Sequence, residues 1–204
     1  MPGKFDLEEQ FSFYGAYHTN KINVLIHIVC VPMILTTALL LTHGLTNKSL
    51  GDLRADLPGL ESPIVYRLTI PSIYAIATAL YYITLEPLAG LLYAPVLVGL
   101  SHVADVAYNT NAQQAIKYGW ILFVASWIAQ FIGHGKFEGR APALLDSLFQ
   151  SLVLAVFFVW LEVLFFLGYK PSLHRRLQNK ISHRVLEHRR AKGDFKRAAA
   201  AQNP

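Results

Sequence analysis

Val24-Leu25-Ile26-His27-Ile28-Val29-Cys30-Val31-Pro32-Met33-Ile34-Leu35-Thr36-Thr37-Ala38-Leu39-Leu40-Leu41-Thr42 runs without a single formal charge. A helix that crosses a bilayer core needs about 20 predominantly apolar residues, so this stretch reads as a membrane-embedded helix. A second run, Leu148 to Tyr169, carries only Glu162. The whole chain of 204 residues agrees: 53% hydrophobic residues, 15% charged residues and a mean hydropathy of +0.35 lie outside the range of soluble domains. These proportions also exclude a disordered chain and a disulfide scaffold. The one cysteine, Cys30, has no partner for an internal bridge.

Working outward, Met1 to Gln10 carries Asp6, Glu8 and Glu9 in place of a basic and then apolar secretory signal, so membrane entry is expected to use an internal span. Thr46 to Ser62, with Asn47, Gly51, Asp52, Asp56, Pro58 and Gly59, reads as a polar loop. An apolar region over 64–104 follows, and Glu86-Pro87 divides it into spans near 66–85 and 88–104, because proline removes a helix donor and biases its predecessor away from helix. Asp105 to Lys117 is a polar separator before a fourth run at 118–133. Gly133 to Pro142 is dense in glycine and ionisable groups, and the last run spans 148–169.

The charge is unevenly placed. From Lys170 to Pro204 ten Lys and Arg stand against two acids, a net of +8, while the rest of the chain has eight against eleven, a net of −3. This basic patch adjoins an apolar span and lacks a base-reading motif, so its expected partner is the anionic cytoplasmic leaflet and not nucleic acid. Leu173, Leu177, Ile181 and Val185 recur every four residues, with Arg175, Arg176, Lys180 and Arg184 largely between them. That pattern predicts a basic amphipathic helix lying in the membrane interface. A cytoplasmic tail together with a cytoplasmic N-terminus bearing Lys4 and Lys21 requires an even number of crossings. Five apolar runs are present, so one is expected not to cross fully, unless the 64–104 region is organised differently or the N-terminus faces the lumen. Four crossings place His18 and His134 on the same side, and His102 on the other.

Of eight histidines, His174, His183 and His188 sit in the basic tail and read as solvated, and His43 reads as interfacial. His27 differs: it lies inside an uncharged run, where an ionisable group is costly and faces the protein interior or a polar cavity. Asn20, Asn23 and His27 are spaced by three and four and share a helical face. His18 lies nine residues before His27, about 900° of helical rotation, so the two meet only if the chain bends between them. His134 and Glu138 are four apart, and Arg140 and Asp146 follow among Gly133, Gly135 and Gly139. So many polar groups between two apolar runs must serve one another or a ligand. Spacing alone leaves a metal site and a structural polar network both open. Two or three neutral imidazoles suit iron in oxygen chemistry, with or without a carboxylate. The HxxxH and HxxHH clusters of membrane di-iron hydroxylases are absent, as are GxSxG, HExxH, GxGxxG and P-loop patterns.

Phe13-Tyr14-Gly15-Ala16-Tyr17-His18-Thr19-Asn20, continuing through Asn23, His27 and Pro32, resembles the endoplasmic-reticulum 2-hydroxy fatty acid dioxygenase family, as do Gln130-Phe131-Ile132-Gly133-His134-Gly135 and Glu138-Gly139-Arg140-Ala141-Pro142-Ala143-Leu144-Leu145-Asp146. The resemblance covers roughly residues 11–42 and 126–169. It implies an Fe(2+)-dependent α-oxidation in phytosphingosine breakdown, in which a long-chain 2-hydroxy fatty acid reacts with dioxygen and becomes one carbon shorter. It also implies His18, His27 and His134 as metal ligands, with Glu138 as a direct or supporting carboxylate. Arg140 is the expected partner of the substrate carboxylate, or else of Glu138 or Asp146, and Asn20 and Asn23 are expected to contact substrate. The expected fold is an all-α integral membrane helical bundle with four to six transmembrane or membrane-embedded helices. Residues 1–169 form its membrane-embedded catalytic domain, and 170–204 form the basic cytoplasmic tail. The competing reading is a non-catalytic multi-pass protein that binds lipid or shapes the membrane.

Overall fold

The computed structural model describes residues 3–46, 49–55, 64–142 and 150–202; Asp146 and the first residues of the last apolar run lie outside these. The chain opens with α1 (Leu7–Gly15), whose first turn is capped by Asp6 Oδ1 accepting from Glu9 N at 3.0 Å. After a corner at residues 16–20 comes α2 (Lys21–Thr46), 26 residues and about 39 Å long, against roughly 30 Å of bilayer hydrocarbon. It continues through Pro32, as membrane helices do where neighbouring helices support them.

The polar loop and the start of the next span hold a short antiparallel hairpin, β1 (Gly51–Ala55) and β2 (Ile64–Leu68), with Gly51 opposite Leu68. The span expected from residue 66 thus begins later, at α3 (Ile70–Leu85). Tyr66 and Arg67 lie in the strand, and Tyr66 Oη bonds Ser101 Oγ at 2.6 Å. A capping box between Thr69 and Ser72 starts α3. The division at Glu86-Pro87 holds: Leu85 ends α3, and α4 (Pro87–Thr110) begins with Pro87 in its first turn and Glu86 Oε2 accepting from Ala89 N at 2.7 Å.

The separator expected at 105–117 shrinks to one residue. The polar side chains of Asp105 and Asn109 stay in α4, and Asn111 alone breaks the helix, its Oδ1 capping α5 (Ala112–Ile132) at Gln114 N. A π-helical turn, Gly133–Glu138, extends α5 and ends at Gly139, whose φ of 61° is left-handed. Another π-turn, Gln150–Leu154, leads into α6 (Ala155–Phe166), and α7 (Pro171–Gln202) closes the chain.

Among the described residues three helices are long and apolar enough to cross a membrane: α2, α4, and α5 with its π extension. Their flanks expose Leu25, Val29, Leu91, Ile121 and Ile128, an apolar exterior suited to lipid. α2 is central, packing on α3, α4, α5 and α6. The last run stays at one end, because α1 touches the 150–154 turn and its Phe11 stacks edge-on against both Phe158 and Phe165. α2, the shorter α3, α4 and α5 thus run in alternating directions through the bundle, with α1, α6 and α7 gathered at one end. At the opposite end buried His43 faces Asp105 at 3.2 Å, with Arg67 at 3.8 Å from the same carboxylate, so His43 belongs to a structural ion cluster under the hairpin. His102 lies at this end too, facing Tyr66.

The amphipathic tail helix forms, but its apolar stripe is not left for lipid. Leu173, Leu177 and Ile181 are buried, and Ile181 packs where Gly15 of α1 has no side chain. Arg176 and Lys180 pair with Glu8, and Arg184 pairs with Glu9. The exposed Arg175, Arg189 and Arg190 remain on the outer side. At the start of the tail, Lys170 and Tyr169 bond Glu86. Burial raises the Glu86 carboxyl, but the bonds from Lys170, Tyr169 and Ala89 N outweigh it and hold the group below its ordinary value.

Candidate metal centre

Three histidines from three local contexts meet at the end of the bundle where α1 packs. His18 sits in the corner between α1 and α2, so the bend that sequence spacing demanded is present. His27 lies in the second turn of α2, and His134 opens the π-turn after α5. All three are buried. Their ring centroids are 4.4 Å apart for His18 and His27, and 4.9 Å from each of these to His134. The planes cross at 70° to 80°, and one nitrogen of each ring lies within 4.8 Å of the other two.

Two tautomers are fixed by the same device. His18 Nδ1 donates to Tyr14 O at 2.8 Å, and His27 Nδ1 donates to Asn23 O at 2.9 Å, each to the carbonyl four residues back. Each bond leaves the Nε2 lone pair free, the state in which imidazole binds a metal. Burial pushes the His18 imidazole well below its ordinary value, with His27 acting in the same direction, so it is neutral at pH 7. His134 Nδ1 is buried with no hydrogen-bond partner among the described residues. A buried polar atom left open beside two imidazoles with free lone pairs fits a metal ligand set.

Glu138 holds this corner together. Its Oε1 accepts from Asn20 N at 2.8 Å and Asn23 Nδ2 at 3.2 Å, and its Oε2 accepts from Thr19 Oγ1 at 2.8 Å. Both oxygens are thereby engaged by the 19–23 segment, and Glu138 does not fall among the three converging ligands. These bonds place the two asparagines expected at the substrate: Asn20 and fully buried Asn23 tie the start of α2 to the π-turn, and Asn20 Oδ1 also caps Ile22 N. Gly133 allows this close approach, since a Cβ there would overlap Asn23 Oδ1. Arg140 is half-buried in the same corner, its guanidinium 3.4 Å over the Tyr17 ring and its Nη1 donating to Ala16 O at 3.2 Å. Asp146, its other expected partner, lies outside the described residues.

The histidines open onto an apolar cavity of about 510 Å³ that runs down α2 through Val31, Leu35 and Ala38 to Thr42, with Phe123 and Trp127 of α5 opposite. Two of its lining residues, Tyr14 and Gln130, went unremarked as site residues in the sequence. The signal was there: Tyr14 precedes His18 by four residues, and Gln130 precedes His134 by four, each a polar group on the histidine's own face.

Residues 5–167 match the model of the family described as "2-hydroxy-palmitic acid dioxygenase Mpo1-like". A Saccharomyces cerevisiae protein, 2-hydroxy-palmitic acid dioxygenase MPO1, is 35% identical over 179 residues, which is 88% of this chain and 91% of the yeast protein. No solved structure matches. With both blocks that build the histidine corner inside the matched segment, the chain belongs to the Mpo1-like family.

Proposed function

We propose that this chain is an iron(II)-dependent dioxygenase that converts long-chain 2-hydroxy fatty acids into fatty acids one carbon shorter, in sphingolipid breakdown at the endoplasmic reticulum membrane. The observation that carries this reading is the meeting of three convergent buried imidazoles with a long apolar cavity. The family description and the name of the yeast relative support both the substrate and the oxidant. His18, His27 and His134 would hold the metal. Zinc has no redox chemistry, whereas iron(II) held by these neutral imidazoles would supply the redox chemistry that a reaction with dioxygen requires.

The cavity wall does the rest. Val31, Leu35, Phe123 and Trp127 keep water from the acyl chain and hold it along α2. From His27 to Thr42 the lining covers fifteen helical positions, about 22 Å. An extended chain gains about 1.2 Å per single bond, scaled from the extended peptide, so a sixteen-carbon acid spans about 18 Å and fits. Ala38 stands eleven positions beyond His27, about 16 Å along that path. Ala38→Trp is therefore expected to lower kcat/KM for the sixteen-carbon acid by about ten-fold or more while sparing a ten-carbon acid. A chain-length series checks this, and an unchanged profile would remove the acyl chain from the cavity.

For topology, the packing of α1 on α7 supports placing both chain ends on one side, and the basic tail supports the cytoplasmic one. In that arrangement residues 1–169 form the catalytic unit, and the outer face of the 170–204 tail meets anionic lipid. The direct test is oxygen uptake by the purified protein with 2-hydroxyhexadecanoic acid. Uptake is expected to match substrate loss and to yield the fifteen-carbon acid. Undiminished turnover without oxygen would overturn the assignment.

A further inference from the structure

The cavity beside the histidines carries two buried donors without a partner among the described residues. Gln130 is 8% exposed and its Nε2 meets no acceptor among them; Tyr14 is 5% exposed and its hydroxyl meets none either. Both line the cavity with His18, His27 and His134. The Tyr14 ring stacks on His18 with centroids 3.9 Å apart, and Gln130 stands one helical turn before His134. The two donors therefore flank the imidazoles from two different elements, α1 and α5.

A buried donor without a partner gives up its hydration for nothing in return, and native interiors keep few of them. Two beside one cavity, next to an apolar channel, are poised for the polar end of a ligand whose tail is hydrocarbon. Arg140, the guanidinium expected for a carboxylate, is held over Tyr17 and is not part of the cavity lining. Neutral donors also suit this place, because an unpaired cation in an apolar cavity carries a heavy desolvation cost.

We propose that Gln130 and Tyr14 are the substrate-binding donors of this site, with the Gln130 amide and the Tyr14 hydroxyl donating to the oxygens of the 2-hydroxy carboxylate head. The proposal rests on the dioxygenase reading and refines it: these two residues set the head in place while α2 and α5 hold the tail. A site built from such donors rejects a chain of equal length that lacks the head.

The test uses full-length Gln130→Leu, Gln130→Glu and Tyr14→Phe proteins. Affinity for 2-hydroxyhexadecanoic acid is read without oxygen, from quenching of tryptophan fluorescence, since Trp127 lines the cavity. Gln130→Leu and Tyr14→Phe are expected to weaken binding about ten- to hundred-fold and to raise KM in step, with metal content and chain-length profile unchanged. Gln130→Glu keeps the side-chain size but sets a carboxylate against the substrate's own, so it is expected to weaken binding more than Gln130→Leu does. Unchanged affinity in all three variants overturns the proposal while leaving oxygen-dependent turnover, and thus the dioxygenase reading, standing. Loss of metal in the Gln130 variants also overturns it, by making Gln130 a support of the metal centre. Failure of the unaltered protein to turn over a 2-hydroxy acid with oxygen overturns the parent reading.

Discussion

His134→Ala protein is expected to purify as a folded membrane protein without stoichiometric metal and to take up no oxygen with 2-hydroxyhexadecanoic acid. The three imidazoles come from the α1–α2 corner, α2 and the π-turn, and none of the described residues adds a fourth His, Cys, Asp or Glu ligand to the cluster. Removing one leaves two neutral nitrogens. Loss of a mere supporting bond to a ligand costs 10- to 100-fold in metal affinity, so loss of the ligand itself is expected to exceed about 100-fold. The fold has reason to survive, because the missing ring borders an existing cavity and the packing of α2 on α5 lies largely elsewhere. His43→Ala is the matched control. That ring is equally buried but sits in the Asp105 cluster at the opposite end of α2, so its loss is expected to leave metal content unchanged. Metal analysis of both proteins decides the matter. Full metal content in His134→Ala would return the histidines to the role of a structural network.

Glu138→Ala is expected to have the next largest effect, and its comparison with Glu138→Gln separates a clamp from a ligand. In the structure the carboxylate gathers Thr19, Asn20 and Asn23, which lie between the two histidines of the α1–α2 corner. Each hydrogen bond to a charged group is worth about 1.5–3 kcal/mol, so the alanine leaves three donors stranded and lets His18 move relative to His134. Metal affinity is expected to fall about 10- to 100-fold. Glutamine keeps an acceptor of the same reach, and as a clamp it retains most of the affinity. Were the carboxylate a metal ligand, glutamine would cost as much as alanine; metal titration of the two variants distinguishes these outcomes.

Much of the bundle was legible because hydrophobic runs have one dominant solution in a bilayer. The uncharged 24–42 run, the break at Glu86-Pro87 and the four-residue stripe of the tail all return as α2, the α3–α4 junction and α7. The even-crossing argument placed His18 with His134, and the structure brings them together. Three features lay beyond local pattern. The β1–β2 hairpin falls in a stretch where loop residues and the first apolar residues of a span adjoin, and its strands are fixed by pairing and by Tyr66 on Ser101. The tail stripe looked free for lipid because its partner, α1, lies more than 150 residues away in the chain. Arg140 is expected from the resemblance to meet the substrate carboxylate, or else Glu138 or Asp146, and sequence spacing gave no sign of the Tyr17 ring and Ala16 carbonyl that it meets across the corner. In each case a long-range partner decided what a short-range pattern left open.

The pairing of α1 with α6 and α7 also imposes an order of events on synthesis. At about 5–20 residues per second, the partners of α1 emerge roughly 10–30 s after α1 itself. Throughout that interval the face of α1 that carries Phe11 and Gly15 lacks its partners, while the corner that carries His18 docks on Glu138 and Arg140 once the π-turn has emerged. The histidine cluster can thus assemble from the corner, α2 and the π-turn before α7 is made, and what comes last is the wall behind it, where Tyr14, the residue whose carbonyl holds His18, meets Phe158.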